Sequence, residues 1–476
     1  MSSFMANSVA WDVWSIFLIV LFFGGSIFVH ELGHFLAARR RGVRVERFSI
    51  GFGPAIVSRR GRDGVEYRLS WLPLGGYVLL PQLAEMPMIE GEAGTDAAHL
   101  PPLSYGTQML VLAAGAAFNV LFAFLLACIV WRAGLPTSAD FDTTRIGIVL
   151  PTITLPDRTP VPSPASEAGL QPGDVVRAID GRRVADWPDL QQTLFLGTDR
   201  AADGRRRAVF TIERGDRTLD VTVYPVLTGD ERMRTVGIVP AQDLVVAAVA
   251  AGSPAAGAGV APGDRIAALD GAPVFHFTVL ADFLRRQAGQ PFALTVRRGG
   301  RLLPLRVPAR PPTAEAADLG LTFQPSFKLL YPDPFTQLGD DARQAFGLLA
   351  AIINRRSDVS VADLSGPVGI VSAFYAAAQS DVRVVLWLTI VVNISLAILN
   401  LLPIPLFDGG HMLFATIARL RGRSLPPEFV MTVQSVFFVL IISLFAYVTF
   451  HDVRRNFRRA EPAPPPAPRA APAPAP

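Results

Sequence analysis

Apolar residues gather in four long runs, at about residues 14–37, 108–132, 383–403 and 428–450. Each run is long enough to cross a bilayer as a helix, since ~20 apolar residues match the hydrocarbon core. Between the second and third runs, over 135–380, the pattern changes to short apolar stretches broken by Pro, Gly and Asp. That punctuation predicts strands and turns outside the membrane. Residues 339–356 place Phe346, Leu349, Ile352 and Ile353 on one helical face, as an interfacial helix before the third span would. From about Glu461 the chain is almost wholly Pro and Ala, a composition that cannot build a core and is expected to be extended or disordered.

The middle region contains a duplication. SPASEAGLQPGDVVRAIDGRRV, from Ser163, recurs without a gap as SPAAGAGVAPGDRIAALDGAPV, from Ser253. Gly169, Pro172, Gly173, Asp174, Asp180 and Gly181 match Gly259, Pro262, Gly263, Asp264, Asp270 and Gly271. Two copies of one unit are expected. In each, Pro-Gly-Asp reads as a turn, the next residues as a short strand, and Asp-Gly as the tip of a hairpin. Leu190 and Leu194, and likewise Leu280 and Leu284, have the spacing of a short helix. The pattern resembles the PDZ domain of bacterial proteases. The resemblance implies a groove where a peptide end adds as an extra strand. The alternative role is that of a rigid spacer keeping large domains away from the membrane.

The first apolar run, WSIFLIVLFFGGSIFVHELGHFLAA, carries candidate chemistry. Ionisable side chains are costly at membrane depth and call for a reason. His30 and His34 lie four apart, on one helical face, so both can hold one metal ion while Glu31 projects beside it. This is the HExxH arrangement of zinc hydrolases, and within a membrane span it points to a protease that cuts inside or at the edge of the bilayer. Catalytic zinc takes about three protein ligands. Cys128 is the only cysteine, which excludes both an intrachain disulfide and a cysteine zinc cluster. His99, His276 and His451 fall in segments remote from the first span. Asp408 follows the third run in LLPIPLFDGGH, where two prolines prevent a regular helix and two glycines permit a tight turn. An acid on irregular backbone at membrane depth suits a ligand; it equally suits a cap for a helix starting at Gly409. His411 competes as a ligand or supporting group.

Composition changes this picture only slightly. Half of the 476 residues are hydrophobic, and mean hydropathy is +0.36. A net charge of +4 is small for this length and gives no reason to expect a nucleic-acid partner. The arginines cluster beside apolar runs, where lipid headgroups are the natural counter-charge. Arg39, Arg40 and Arg41 follow the first span, and Arg419, Arg421 and Arg423 separate the last two. By the positive-inside rule both loops are cytoplasmic and the repeats external; Arg454, Arg455, Arg458 and Arg459 after the fourth run go against this orientation. The N-terminal run is too long, and lacks the basic start, for a cleaved signal peptide.

HELGH in the first run together with NLLPIPLFDGG at the third resembles the site-2 protease family of intramembrane zinc metalloproteases, and the two PDZ-like units make the chain similar to its bacterial regulator of sigma E protease branch. The resemblance implies a polytopic α-helical membrane protein with four spans, two extramembrane PDZ-like domains of α+β type and a membrane-associated β-hairpin. It implies Zn2+ held by His30, His34 and Asp408, and Glu31 as catalytic acid and base. Gly51-Phe52-Gly53-Pro54 resembles the family's GFG segment. Tyr67 to Val78 resembles the hairpin that offers an edge strand to substrate, making Gly75, Gly76 and Tyr77 substrate-binding residues. Asn400 matches the asparagine thought to hold unwound substrate. Gly115 to Asn119, GAAFN, lies where relatives often have a Gly-Pro variant, and Ala116 departs from it. The implied partners are transmembrane substrates, anti-sigma factors or remnant signal peptides, peptide termini at the PDZ-like units, and the lipid bilayer. The implied location is the bacterial inner membrane, with the repeats periplasmic and the active site near the cytoplasmic side. The expected domains are 1–134 (first membrane half, with the hairpin loop), 135–230 and 231–312 (PDZ-like), 313–382 (linker and interfacial helix), 383–459 (second membrane half) and 460–476 (tail).

Overall fold

A computed structural model describes residues 2–83, 100–228, 233–286, 290–309 and, apart from 355, 358, 360, 362 and 363, 319–460. His99 and tail residues 461–476 lie outside the described residues. All four apolar runs are helices long and apolar enough to cross a membrane. Helix α1 spans Ser2–Arg40, well beyond the expected 14–37. Next come strands β1 (Arg47–Arg60) and β2 (Glu66–Leu79), then α2 (Tyr105–Ala133). The Ser104 hydroxyl accepts from Thr107 N to cap α2.

Each sequence repeat folds to the same plan. The first has a four-stranded sheet in the order Arg217–Val223, Ala208–Arg214, Val175–Ile179, Arg182–Arg183, packed on helix α3 (Trp187–Leu196). The second has Arg301–Val307, Phe292–Arg298, Arg265–Leu269, Ala272–Pro273 and helix α4 (Phe277–Arg286). Leu190 and Leu194 in the first, and Leu280 and Leu284 in the second, are buried in the unit's own core. The repeated polar residues serve the backbone. Asp180 and Asp270 hold positive φ ahead of Gly181 and Gly271, which makes the tight turn. Their carboxylates accept from Val209 N and Ala293 N.

Asp174 and Asp264 are buried, accept from Gln171 N and Ala261 N, and are clasped by Arg214 and Arg298. The Arg298 guanidinium, at 2.7 Å to each carboxylate oxygen, holds Asp264 below the usual carboxylate range. A carboxyl depressed in the folded state stabilises fully above its unfolded pKa of ~4 and loses that contribution as pH falls through the folded value. The second unit is therefore expected to lose protease resistance on acidification from neutral pH to below about pH 4, and Arg298→Gln to flatten that dependence. Proteolysis of the full chain across this range checks it.

The two units are tied together and to the membrane helices. Arg145 of the first unit lies over the Phe275 ring of the second, and Gln242 Nε2 of the second donates to Asp140 Oδ2 of the first at 2.9 Å. Strand Leu135–Ser138, directly after α2, pairs with Phe327–Leu330 as a two-stranded stalk. Helix α5 (Pro334–Ile353) follows the stalk and packs on α2 and on α7 (Val382–Leu401). It covers residues 339–353 of the interfacial segment expected at 339–356 and ends three residues short of it, with Phe346 and Ile353 exposed. Helix α6 (Pro367–Ser380), which the sequence reading leaves inside a linker, packs on α1 and on the last helix, Pro427–Ala460. The third span ends at Leu401, two residues before Pro403, earlier than the expected 403. Helix α8 (Asp408–Arg421) begins one residue before the Gly409 start that the capping alternative implies, and precedes α9 (Pro427–Ala460), which outruns its expected end at 450.

The bundle is knit by close packing and a few polar contacts. A Cβ on Gly33 would overlap Ala114 O, so glycine is what lets α1 and α2 approach. Asn393 of α7, fully buried, donates to Ser26 Oγ of α1 at 2.8 Å.

Candidate metal centre

The HELGH segment is continuous α-helix within α1, so His30 and His34 stack on one face. Asp408 arrives from the far end of the sequence as the first residue of α8, preceded by the non-helical segment 402–407. Phe407, not Asp408, is the N-cap residue, and it makes no side-chain cap bond. Gly409 and Gly410 act here by close approach rather than by an unusual φ. A Cβ on either would collide with the carbonyls of Leu401, Leu402 or Ile404, so the start of α8 folds directly back onto the end of α7.

These elements bring three ligand atoms together. His30 Nε2 and His34 Nε2 are 3.1 Å apart, and each lies 3.4 Å from Asp408 Oδ2. A tetrahedral zinc with bonds of ~2.0–2.1 Å needs ligand atoms about 3.3 Å apart. Among the described residues this is the group of His, Cys, Asp or Glu with metal-site spacing. Asp408 Oδ2 is buried with no hydrogen-bond partner although it faces two imidazole nitrogens. An orphaned carboxylate oxygen beside two lone-pair donors is what a divalent cation satisfies. The site accepts zinc on geometry and on donor chemistry.

The surrounding groups set the imidazoles. His34 Nδ1 lies 2.8 Å from Val111 O; a carbonyl only accepts, so Nδ1 carries the proton and Nε2 is left free for metal. A Cβ on Gly115 of α2 would run into His34 Nε2 and His30 Cε1, so glycine makes room for both rings. Asn119, fully buried on the same helix, has its amide 3.3 Å from His30 Nδ1. Its Oδ1 has no partner as placed. Turning the amide over lets Oδ1 accept from Nδ1–H, which satisfies the oxygen and frees His30 Nε2. Asn119→Leu is expected to weaken zinc binding about 10–100-fold with the fold intact, and Asn119→Asp to retain it; competition against a chelator measures both. Sequence reasoning quoted this stretch but missed both roles. The available signal was one amide and one glycine four apart on the buried face of an apolar helix.

Glu31 sits beside the candidate ligands His30 and His34, against the sheet. A Cβ on Gly76 would come within 3.0 Å of Glu31 Cγ, and the Val78 backbone is in hydrogen-bonding reach of its carboxylate. Where a simple hairpin over 67–78 is expected, the structure has two long bent strands. Arg47–Ile50 lies opposite both Glu66–Leu69 and Gly76–Leu79, and Ala55–Arg60 lies opposite Glu66–Ser70. Segment 76–79 is thus an edge, paired through Arg47–Ile50 on one side and facing Glu31 on the other. Gly75 and Gly76 are half-buried there, and Tyr77 Oη accepts from Arg47 Nη1 at 3.2 Å.

Asn400 lies half-buried on the last turn of α7, just before the break that delivers Asp408. The remaining histidines are used elsewhere. His276 Nδ1 accepts from Thr278 N, His451 packs against Tyr447 and Phe450 on α9, and His411 lies one turn into α8, outside the ligand triangle.

Residues 17–444 match Peptidase family M50. The chain belongs to that family. The regulator of sigma E protease of Salmonella typhimurium (strain LT2) is 31% identical over 93% of this chain and 99% of its own length. The regulator of sigma-E protease RseP of Escherichia coli (strain K12) is 29% identical over 94% of this chain and 99% of its own. A Xylella fastidiosa (strain Temecula1) protein that carries the name of a zinc metalloprotease is 30% identical over 95% of this chain and all of its own. This M50 peptidase is accordingly a zinc-dependent metalloprotease with membrane-spanning helices.

Proposed function

We propose that the chain is an intramembrane zinc metalloendopeptidase that cleaves the transmembrane segments of single-span proteins. The observation that carries this reading is the convergence of His30, His34 and Asp408 inside a bundle of apolar helices, with Glu31 alongside. Those three residues would hold the metal, which when bound acidifies water and polarises the scissile carbonyl. Glu31 takes the proton from the attacking water and returns it to the leaving amine. Val111 O and Asn119 orient the imidazoles.

A helical substrate hides its carbonyls in its own hydrogen bonds and must unwind before it is cut. Edge segment 76–79 can take the exposed backbone as an added strand, with Gly75 and Gly76 allowing close approach and Tyr77 on the same edge. The Asn400 amide can pair with the remaining free groups. The two repeat units are PDZ-like, and they filter or bind the external part of the substrate. The names of the sigma-E relatives support anti-sigma-factor-like substrates, with remnant signal peptides as a second class, cleaved in the bacterial inner membrane with the repeats periplasmic and the metal near the cytoplasmic side. The domain limits given above serve as the working division of the chain.

The test is proteolysis of a single-span protein by the purified chain in detergent. Cleavage inside the span is expected, lost with chelator and restored by zinc. Cleavage confined to the substrate's soluble part would overturn the reading.

A further inference from the structure

Opposite the metal ligands, α1 presents Phe28, Leu32 and Phe35 to the sheet. Between them lies a cavity of about 520 Å3, completed by Phe48, Ile50, Val57, Tyr67 and Leu69 and lined also by Arg59 and Arg68. That is a ligand-sized space, ~300–1,000 Å3 being usual. Its floor is aromatic: the Phe28, Phe35 and Phe48 rings meet edge-on, at 5.8 and 5.2 Å between centroids. Among the described residues, the charges lining it are the two guanidiniums. Arg59 is exposed and, among the described residues, pairs with no carboxylate. Arg68 bonds Glu66 through Nη2 at 3.1 Å, but its Nε is buried with no partner. Val57 and Leu69, which line it, are exposed, as are Ile56 and Trp71 nearby on the same two strands, an apolar surface suited to lipid tails rather than water.

We propose that this cavity seats one acyl chain of an anionic phospholipid, with Arg59 and Arg68 holding its phosphate. Charge complementarity selects the occupant. A peptide would bring backbone amides and carbonyls into a space lined mostly by aromatic and aliphatic side chains, where the Tyr67 hydroxyl already spends its hydrogen on Asp63 at 2.9 Å. An acyl chain has no polar groups to satisfy, and its single charged end meets two cations. Occupancy would brace the histidine-bearing helix against the sheet by filling the space between them.

The test uses the full chain in phosphatidylcholine nanodiscs carrying trace phosphatidylglycerol with a photoreactive acyl end. Crosslinks are expected on Phe28–Phe35 and on the Phe48–Leu69 region, and unlabelled phosphatidylglycerol should compete about fivefold better than phosphatidylcholine. Arg59→Gln, an exposed substitution that leaves the fold undisturbed, should lower labelling by about fivefold, and Arg68→Gln by a similar factor. Equal competition by the two lipids, labelling unchanged in both variants, or crosslinks confined to other helices would overturn the proposal. So would displacement of the probe by a single-span substrate, which would give the cavity to the peptide.

Discussion

Glu31→Gln is expected to abolish peptide-bond cleavage while leaving the zinc content of the purified protein unchanged. The amide keeps the shape of the side chain but cannot accept the proton of the attacking water. General acid and base catalysis contributes ~100–10,000-fold, so a loss of at least about 100-fold should be seen. The proposed ligand atoms are on His30, His34 and Asp408, and none of their 3.1–3.4 Å spacings involves Glu31. Elemental analysis and turnover of a single-span substrate are the paired measurements. Retained turnover would remove Glu31 from the proton-transfer role; lost zinc would make it part of the ligand set.

Gly115→Val should be as damaging, by a different route. Its added Cβ would occupy the space of the His34 and His30 rings, so the imidazoles must rotate out of the ligand triangle or α2 must draw back from α1. Zinc content and cleavage should fall together, by about 100-fold. Gly106 lies on the same helix with open space around the position of a Cβ, so Gly106→Val is the matched control and should behave as wild type. Full zinc occupancy in Gly115→Val would mean that α2 does not shape the site.

The parts of this structure legible in the sequence are those written at short range. HELGH announces two ligands because four residues make about one helical turn. The repeats announce themselves because each copied residue has a local backbone task, as Asp180 and Asp270 do in their turns. The Pro and Gly residues around Asp408 mark a break in the third span, although close packing rather than a turn accounts for the glycines. What escapes is set at long range. The double pairing of Arg47–Ile50 depends on how two bent strands meet, and no alternation within either strand encodes it. Asn119 and Gly115 look like ordinary span residues until α2 lies against α1. Helix α8, offered by the sequence only as an alternative, carries two glycines in its first turn that by propensity argue against a helix; its packing against α7 overrides that preference.

The stalk made by Leu135–Ser138 and Phe327–Leu330 has a mechanical consequence. It follows α2 after a single residue, Gly134, and α2 is the helix whose Gly115 and Val111 lie against the His30 and His34 rings. The repeats are therefore not a pendant on a string, because their stalk begins one residue after the helix that touches the imidazoles. A pull on the repeats would act through α2 on the His34–Val111 bond.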